Sequence, residues 1–219
     1  METVIHVTGA GVVSAVGCGQ GETLDALRRG RSGIAPVRYL RTEEKAFPVG
    51  EVKLSDAEMA ERCGASKGLS RTSLMGILAL EEALAQAGLK DLAGIPLVGG
   101  TTVGGMDLTE QIFPAYSPLH DCGASTDAIA SHFGGAPWAT TLSTACSSAA
   151  NAVIFGANLI RSGQADAVVA FQEHDQFQDV DGVEAQPFVA EEGGMVIDVG
   201  RGHPVQVQGV DQLQLDLID

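Results

Sequence analysis

The sequence lacks the features that mark membrane, secreted and nucleic-acid-binding proteins. No apolar run approaches the length that crosses a bilayer. Residues 1–8 lack the basic start and the cleavage pattern of a secretory signal, so we expect a soluble cytoplasmic protein. Basic residues are few, since 13 Lys and Arg accompany 28 Asp and Glu, for a net charge of −15. This balance argues against nucleic acid as a partner, because binding it needs a basic face.

The cysteines also lack any paired spacing of the kind that holds a metal ion. There are four of them: Cys18, Cys63, Cys122 and Cys146. A cytoplasmic chain keeps thiols reduced, and the simplest interpretation of each cysteine alone is a small buried residue. No metal site is therefore predicted, and the local sequence must decide whether any of the four is reactive.

The composition changes abruptly after Ala170. Residues 1–170 hold 17 acidic and 12 basic side chains, whereas residues 171–219 hold 11 acidic side chains and one Arg. Eight of the twelve glutamines also lie after Ala170. We therefore predict a domain over residues 1–170 and a divergent, acidic, glutamine-rich and poorly ordered tail over 171–219. A reading-frame shift or a truncated gene would explain this tail, and a genuine divergent tail is the alternative.

Short apolar strands alternate with helical segments over residues 1–170. This alternation predicts a layered α/β fold with a largely parallel sheet. Residues 8–11 are expected to break the first strand, and residues 31–68 show too little periodicity for a prediction. The last helix is apolar on all sides, which predicts a central, buried helix. The predicted strands are 4–7, 95–98, 140–142 and 165–170, and the predicted helices are 23–29, 71–87, 125–133 and 147–162.

Cys146 falls between a predicted strand and the start of the predicted buried helix. The first turn of a helix has unpaired N–H groups and a positive dipole end, and both favour a thiolate over a thiol. A thiolate is the attacking species in acyl transfer, and the same N–H groups can stabilise an oxyanion. Small neighbours leave room for a substrate. The alternative interpretation is a buried structural cysteine in a turn of small residues.

Several stretches of residues 1–170 together resemble the β-ketoacyl-carrier-protein synthases. The segment STACSSAANA, followed by GANLIRSGQADAVVA, resembles the active-site region of that family. VTGAGVVSAVG resembles its opening strand and turn, RRGRSGI its following basic and glycine stretch, and VGGTTVGGM its glycine-rich loop beside the acyl pocket. The cysteine motif is the specific part of this resemblance.

The resemblance implies a thiolase-like fold of two similar α/β halves, a homodimer, and acyl carrier protein as the partner. It implies decarboxylative Claisen condensation, in which an acyl group on Cys146 is attacked by a carbanion from malonyl-carrier protein. The backbone N–H of Cys146 would be one of two oxyanion donors, and Val103 would line the acyl pocket. Neither cofactor nor metal is implied, because the substrates are phosphopantetheine thioesters. A thiolase-fold enzyme that uses coenzyme A thioesters fits the S-T-A-C-S-S context less well.

The chain departs from the family in its second half. Family members are about twice as long, and their histidine motifs, resembling H-G-T-G-T and G-H-x-x-G-A-A-G, do not occur here. His174 and His203 lie in other contexts and receive no catalytic role. His6, His120 and His132 are expected in core or surface positions. We therefore expect a truncated and impaired synthase, with a catalytically inactive half-domain that only dimerises or binds a partner as the alternative.

Overall fold

The computed structural model describes residues 4–40, 42–102, 104–112 and 122–173, together with the backbone of residues 196–200. The helices are α1 Gln20–Arg28, α2 Asp56–Cys63, α3 Arg71–Ala87, α4 Met106–Ile112, α5 Ala124–His132 and α6 Ser148–Arg161, with a 3₁₀ turn at Ala145–Ser147. The strands are β1 His6–Gly11, β2 Val13–Ser14, β3 Gly17–Cys18, β4 Ala35–Pro36, β5 Pro48–Val49, β6 Leu97–Thr101, β7 Ala139–Leu142, β8 Ala167–Glu173 and β9 Val196–Gly200.

Five of these strands form the main sheet, in the order β1-β9-β8-β6-β7. β6 pairs in parallel with both β7 and β8. β9 pairs antiparallel with β1 on one side and with β8 on the other. β1, β8, β6 and β7 therefore run in one direction, and the carboxyl ends of β6 and β7 meet at the same edge of the sheet. The predicted α/β class is confirmed.

Helices cover both faces of the sheet, and the alternation of side chains along β8 shows it. Val169 and Phe171 belong to the core cluster that contains α3 and α5. Val168 and Ala170 belong to a second cluster, which contains the buried side of α6. Successive residues of a strand point to opposite faces, so an apolar run is expected where both faces are covered. The result is a helix–sheet–helix sandwich with a core on each side.

The close approach of α3 to β1 explains the glycines of the first strand. A Cβ atom at Gly9 would lie 2.1 Å from the Ala83 carbonyl oxygen, and one at Gly11 would lie 1.9 Å from that of Ala79. Both glycines face α3, because they are two residues apart in a strand. The predicted break at residues 8–11 is therefore wrong: the strand runs on to Gly11, and its glycines serve packing.

The helix that follows the cysteine is confirmed, but its predicted burial on all sides is not. Ala152, Leu159 and Ile160 are buried in the second core cluster. Ile154 and Phe155, on the opposite side of α6, are 41% and 38% exposed. Trp138 meets the Phe155 ring edge to face, and both residues remain 38% exposed, so α6 presents a partly open apolar face.

Part of the predicted tail lies within the sheet. Residues 171–173 complete β8, and residues 196–200 form β9 between β1 and β8. The prediction about the order and origin of the rest of residues 174–219 lies outside the described residues. Within the part of the chain that is described, no helix is long and apolar enough to cross a membrane.

Candidate active site

Cys146 lies where β7 ends and α6 begins. It occupies the middle of the 3₁₀ turn Ala145–Ser147, and α6 starts at Ser148. Cys146 is exposed, so the sulfur is open to a reagent. The hydrogen bonds of the turn run from the N–H groups of Ser147 and Ser148 to the carbonyls of Thr144 and Ala145. The N–H of Cys146 thus belongs to the first turn, where the helix itself supplies no acceptor.

The backbone is strained immediately before the cysteine. Ala145 has φ 53° and is the single residue other than glycine with positive φ in the described parts of the chain. A left-handed conformation costs an alanine about 1 kcal/mol, and such residues persist where surrounding contacts fix them. We call residues 143–148 the cysteine turn. The left-handed conformation of Ala145 turns the chain sharply from β7 into α6, and Cys146 follows on the solvent-exposed side of the turn.

The hydroxyl of Ser148 bonds to both sides of Ala145. The N–H of Thr144 donates to Ser148 Oγ at 2.9 Å, and Ser148 Oγ lies 2.7 Å from the Ala145 carbonyl oxygen, to which it donates. Thr102 Oγ1 donates to the same carbonyl at 3.4 Å. Ser148 is only 1% exposed, whereas the rest of the turn is open to solvent. The strained residue is therefore fixed from the protein interior.

A second group of polar side chains braces the outer side of the turn. Ser147 Oγ donates to the Thr144 carbonyl oxygen at 2.8 Å. Asn151, one turn along α6, donates through Nδ2 to Thr144 Oγ1 at 2.8 Å and to Ser147 Oγ at 3.3 Å. Ser143 Oγ donates to the carbonyl oxygen of Thr102 at 3.2 Å, at the end of the neighbouring strand. The hydroxyl-rich sequence around the cysteine thus forms one connected network.

Gly100 lets the start of α6 approach the sheet. A Cβ atom at Gly100 would lie 2.7 Å from the Ser148 carbonyl oxygen and 3.1 Å from the Ala149 nitrogen. These are backbone atoms of the first turn of α6, which cannot rotate aside. The absence of a side chain at Gly100 therefore fixes how deeply α6, and with it the cysteine turn, sits on β6.

The glycine-rich loop follows β6 and runs beside the cysteine turn. The N–H of Gly104 donates to Thr101 Oγ1 at 2.9 Å, which tightens the start of the loop. Val103, predicted to line an acyl pocket, lies outside the described residues. A cavity of about 230 Å³ lies nearby, lined by the loop residue Gly105 together with Gly68, Leu69, Ser70, Ser73, Leu108, Ala124, Ser125 and Ala128. No residue of the cysteine turn is among those lining residues, so this cavity is separate from the sulfur.

The other cysteines are in less reactive surroundings. Burial raises the pKa of the Cys18 thiol and of the Cys63 thiol, which holds them as neutral thiols. Cys63 also donates through Sγ to the Met59 carbonyl oxygen at 3.1 Å. Cys122 is half-buried and donates to the Thr102 carbonyl oxygen at 3.8 Å. Among the four, Cys146 alone is exposed.

The histidines contribute nothing to the cysteine turn within the described residues. His132 lies at the end of α5, where Nε2 is 3.9 Å from Glu81 Oε1 and the ring meets Phe133 edge to face. This position fits the structural role that the sequence predicts. His120, His174 and His203 lie outside the described residues. The described residues contain no cluster of three or more His, Cys, Asp or Glu side chains that would hold a metal ion.

Solved structures identify the class of fold. The ishigamide ketosynthase/chain length factor superposes with a TM-score of 0.72 at 17% identity, covering 91% of this chain and 62% of that chain. The ketosynthase complex AntDE:AntF, a type II polyketide synthase acyl-carrier protein with its ketosynthase, superposes with a TM-score of 0.62 at 19% identity, covering 90% and 57%. Identities this low establish the fold alone. The predicted thiolase-like fold is confirmed.

Sequence comparison then identifies the family. The family described as beta-ketoacyl synthase, N-terminal domain, matches residues 2–171, so the chain belongs to the β-ketoacyl synthases, a family of acyltransferase-type enzymes. 3-Oxoacyl-[acyl-carrier-protein] synthase 1 of Escherichia coli (strain K12) is 35% identical over 115 residues, which are 50% of this chain and 28% of that protein. Nodulation protein E of Rhizobium meliloti (strain 1021) is 29% identical over 192 residues, 78% of this chain and 46% of that protein. The chain therefore spans less than half the length of these curated relatives.

Proposed function

We propose that this chain carries the acyl-accepting nucleophile of a β-ketoacyl-[acyl-carrier-protein] synthase, and that Cys146 is that nucleophile. The observation that carries the proposal is the cysteine turn. It holds an exposed thiol at the start of a helix, on a strained bend fixed by a buried hydroxyl. Membership of the synthase family supplies the reaction class.

Acyl loading is the first step. The Cys146 thiolate attacks the carbonyl carbon of an acyl thioester on the phosphopantetheine arm of a carrier protein. A carbon–sulfur bond forms to Cys146, negative charge develops on the carbonyl oxygen, and the carrier thiolate leaves when the tetrahedral intermediate collapses. The N–H of Cys146, in the first turn of the helix, is suited to donate to that oxygen.

Carbon–carbon bond formation is the second step. Malonyl-carrier protein loses carbon dioxide, and the resulting carbanion attacks the acyl carbon on Cys146. The cysteine sulfur then leaves as a thiolate, and the product is a β-ketoacyl-carrier protein. The histidine motifs that the family resemblance implies for condensation do not occur in this sequence, so we expect it to load acyl groups more readily than it condenses them. Losing a single donor to a developing oxyanion typically lowers the rate about a hundredfold.

The remaining assignments belong to the same proposal. We assign Val103 to the acyl pocket because it belongs to the T-T-V-G-G loop, which resembles the family's glycine-rich loop beside that pocket. Acyl carrier protein is the proposed partner, and a homodimer in the cytoplasm is the proposed state. From the family we also propose that the protein acts in fatty-acid or polyketide-like chain extension.

Incubation with acyl- and malonyl-carrier protein tests the proposal. We expect β-ketoacyl-carrier protein to accumulate slowly with the natural chain and not at all with Cys146→Ala. Mass spectrometry of the carrier protein measures the product. Equal product with Cys146→Ala would contradict the proposal, as would the natural chain giving neither product nor acylated Cys146.

The open apolar face favours a second candidate, a catalytically inactive half-domain that dimerises or binds a partner. Trp138 and Phe155 meet edge to face with ring centroids 6.3 Å apart, and both residues are 38% exposed. Exposed aromatic side chains grouped in this way are typical of interaction surfaces. Labelling with a thiol-reactive acyl mimic separates the candidates. A Cys146 that reacts faster than a cysteine in a short peptide indicates a formed active site, whereas an exposed Cys146 that reacts no faster than the peptide indicates the inactive half-domain.

A further inference from the structure

We infer that the buried hydroxyl of Ser148 is a positioning group, which holds Ala145 in its left-handed conformation and thereby directs Cys146 toward an incoming thioester. The inference rests on the proposed role of Cys146 as the acyl acceptor. Ser148 does not touch the reacting atoms. It acts through the backbone of the two residues that precede the cysteine.

The hydrogen bonds define how Ser148 would do this. Its oxygen accepts from the N–H of Thr144 at 2.9 Å and lies 2.7 Å from the Ala145 carbonyl oxygen. One side-chain atom thus ties together the backbone on both sides of the Ala145 φ and ψ angles. With those two points held, the peptide that leads into Cys146 has little freedom to turn.

The hydroxyl can act as a fixed point because its own position is rigid. Ser148 is 1% exposed, and its carbonyl group packs directly on Gly100 of β6. The carbonyl oxygen of Thr101 lies 3.4 Å from Ser148 Oγ and is a second acceptor for its proton. Ser148 thereby anchors the otherwise solvent-exposed cysteine turn to the central sheet.

Ser147 shows why the buried serine, rather than its neighbour, is the positioning group. Ser147 is exposed, and its hydroxyl donates to the Thr144 carbonyl oxygen on the solvent side of the turn. Water can replace a hydrogen bond of that kind at small cost. The Ser148 hydroxyl is buried, so water replaces its bonds to Thr144 and Ala145 less easily, and its loss removes the main side-chain support of the strained conformation from the interior.

Site-resolved alkylation of the full chain tests the inference. The rate at which iodoacetamide modifies Cys146 is measured by peptide mass spectrometry, with buried Cys63 as an internal reporter of unfolding. We expect Ser148→Ala, which removes the bonds to Thr144 and Ala145, to slow the modification of Cys146 by roughly tenfold. Ser148→Thr, which keeps a hydroxyl, should restore most of the rate. Ser162→Ala, at the other end of α6, should leave it unchanged.

The direction of the change separates positioning from simple destabilisation. Partial unfolding would expose the buried Cys63 and speed its labelling, whereas loss of positioning slows the labelling of Cys146 and leaves that of Cys63 unchanged. Ala145→Gly supplies a second test, because glycine adopts positive φ without strain. In the Ser148→Ala background this change should recover part of the lost rate.

Two possible results of the alkylation experiment distinguish a failure of the proposed function from a failure of the role assigned to Ser148. A natural Cys146 no more reactive than a cysteine in a short peptide would contradict the proposed function and this inference with it. A reactive Cys146 whose rate is unchanged by Ser148→Ala, or rises in step with that of Cys63, would overturn the role of Ser148 and leave the proposed function standing.

Discussion

A methyl group at Gly100, on the strand β6 that packs against the first turn of α6, should displace the cysteine turn. In Gly100→Ala the new Cβ would lie 2.7 Å from the Ser148 carbonyl oxygen and 2.8 Å from its carbonyl carbon. Ordinary contacts to carbon are about 3.5 Å, so the first turn of α6 must move by roughly half an ångström or more. Overpacking of this kind costs about 1–3 kcal/mol of the free energy of unfolding. Because the displaced turn carries Cys146, we also expect acyl transfer to the cysteine to slow at least roughly tenfold.

Urea unfolding and the rate of Cys146 acylation measure the two effects of Gly100→Ala. Gly21→Ala is the matched control, since Gly21 is an exposed position of α1 and nothing lies within 4 Å of a Cβ built there. That change should stabilise the chain by about 0.5 kcal/mol and leave acylation unchanged. A Gly100→Ala chain that unfolds at the natural urea concentration and is acylated at the natural rate would refute the close-packing argument.

Two further predictions concern carboxylates outside the cysteine turn. Glu51 is fully buried and accepts from the N–H groups of Arg38, Tyr39 and Leu40 at 2.9, 2.7 and 2.5 Å, so Glu51→Gln should lower the free energy of unfolding by about 2 kcal/mol. Urea unfolding checks this, and a change below about 0.5 kcal/mol would contradict it. Burial raises the pKa of Asp107, so the folded chain holds this proton more tightly than the unfolded chain, and stability should fall as the pH rises above about 4. Asp107→Asn should flatten that part of the melting-temperature profile, and an identical slope in both chains would count against the assignment.

The sequence correctly predicts those helices and strands whose apolar periodicity and capping residues agree with their packing in the fold. α3 runs over the predicted residues, with Ser70 capping its start and Gly88 its end. α2 is not predicted from the sequence, because the apolar periodicity of this helix is weak. Its capping residues, however, are a recognisable sequence signal. The Ser55 side chain and Glu58 form a reciprocal capping box, and Gly64 ends the helix in a left-handed conformation.

The geometry of the candidate site depends on contacts between distant segments, and these are harder to predict. The position of Cys146 between a strand and a helix follows from the local pattern. The positive φ of Ala145 does not, because nothing local favours it in an alanine, and the bonds from Ser148 and Thr102 that surround it arise only in the folded chain. The exposure of Ile154 and Phe155 could likewise not be predicted, because the periodicity of a sequence shows that a helix face is apolar but not which segments pack against it.

Direct trapping of the acyl-enzyme tests the central claim that Cys146 accepts the acyl group. The natural chain is incubated with an acyl-carrier protein, quenched in acid and digested, and each cysteine-containing peptide is examined by mass spectrometry. The proposed mechanism predicts an acyl adduct on the Cys146 peptide, removed by hydroxylamine and absent from Cys146→Ala. An unmodified Cys146 peptide, or acyl groups spread equally over all four cysteines, would contradict it.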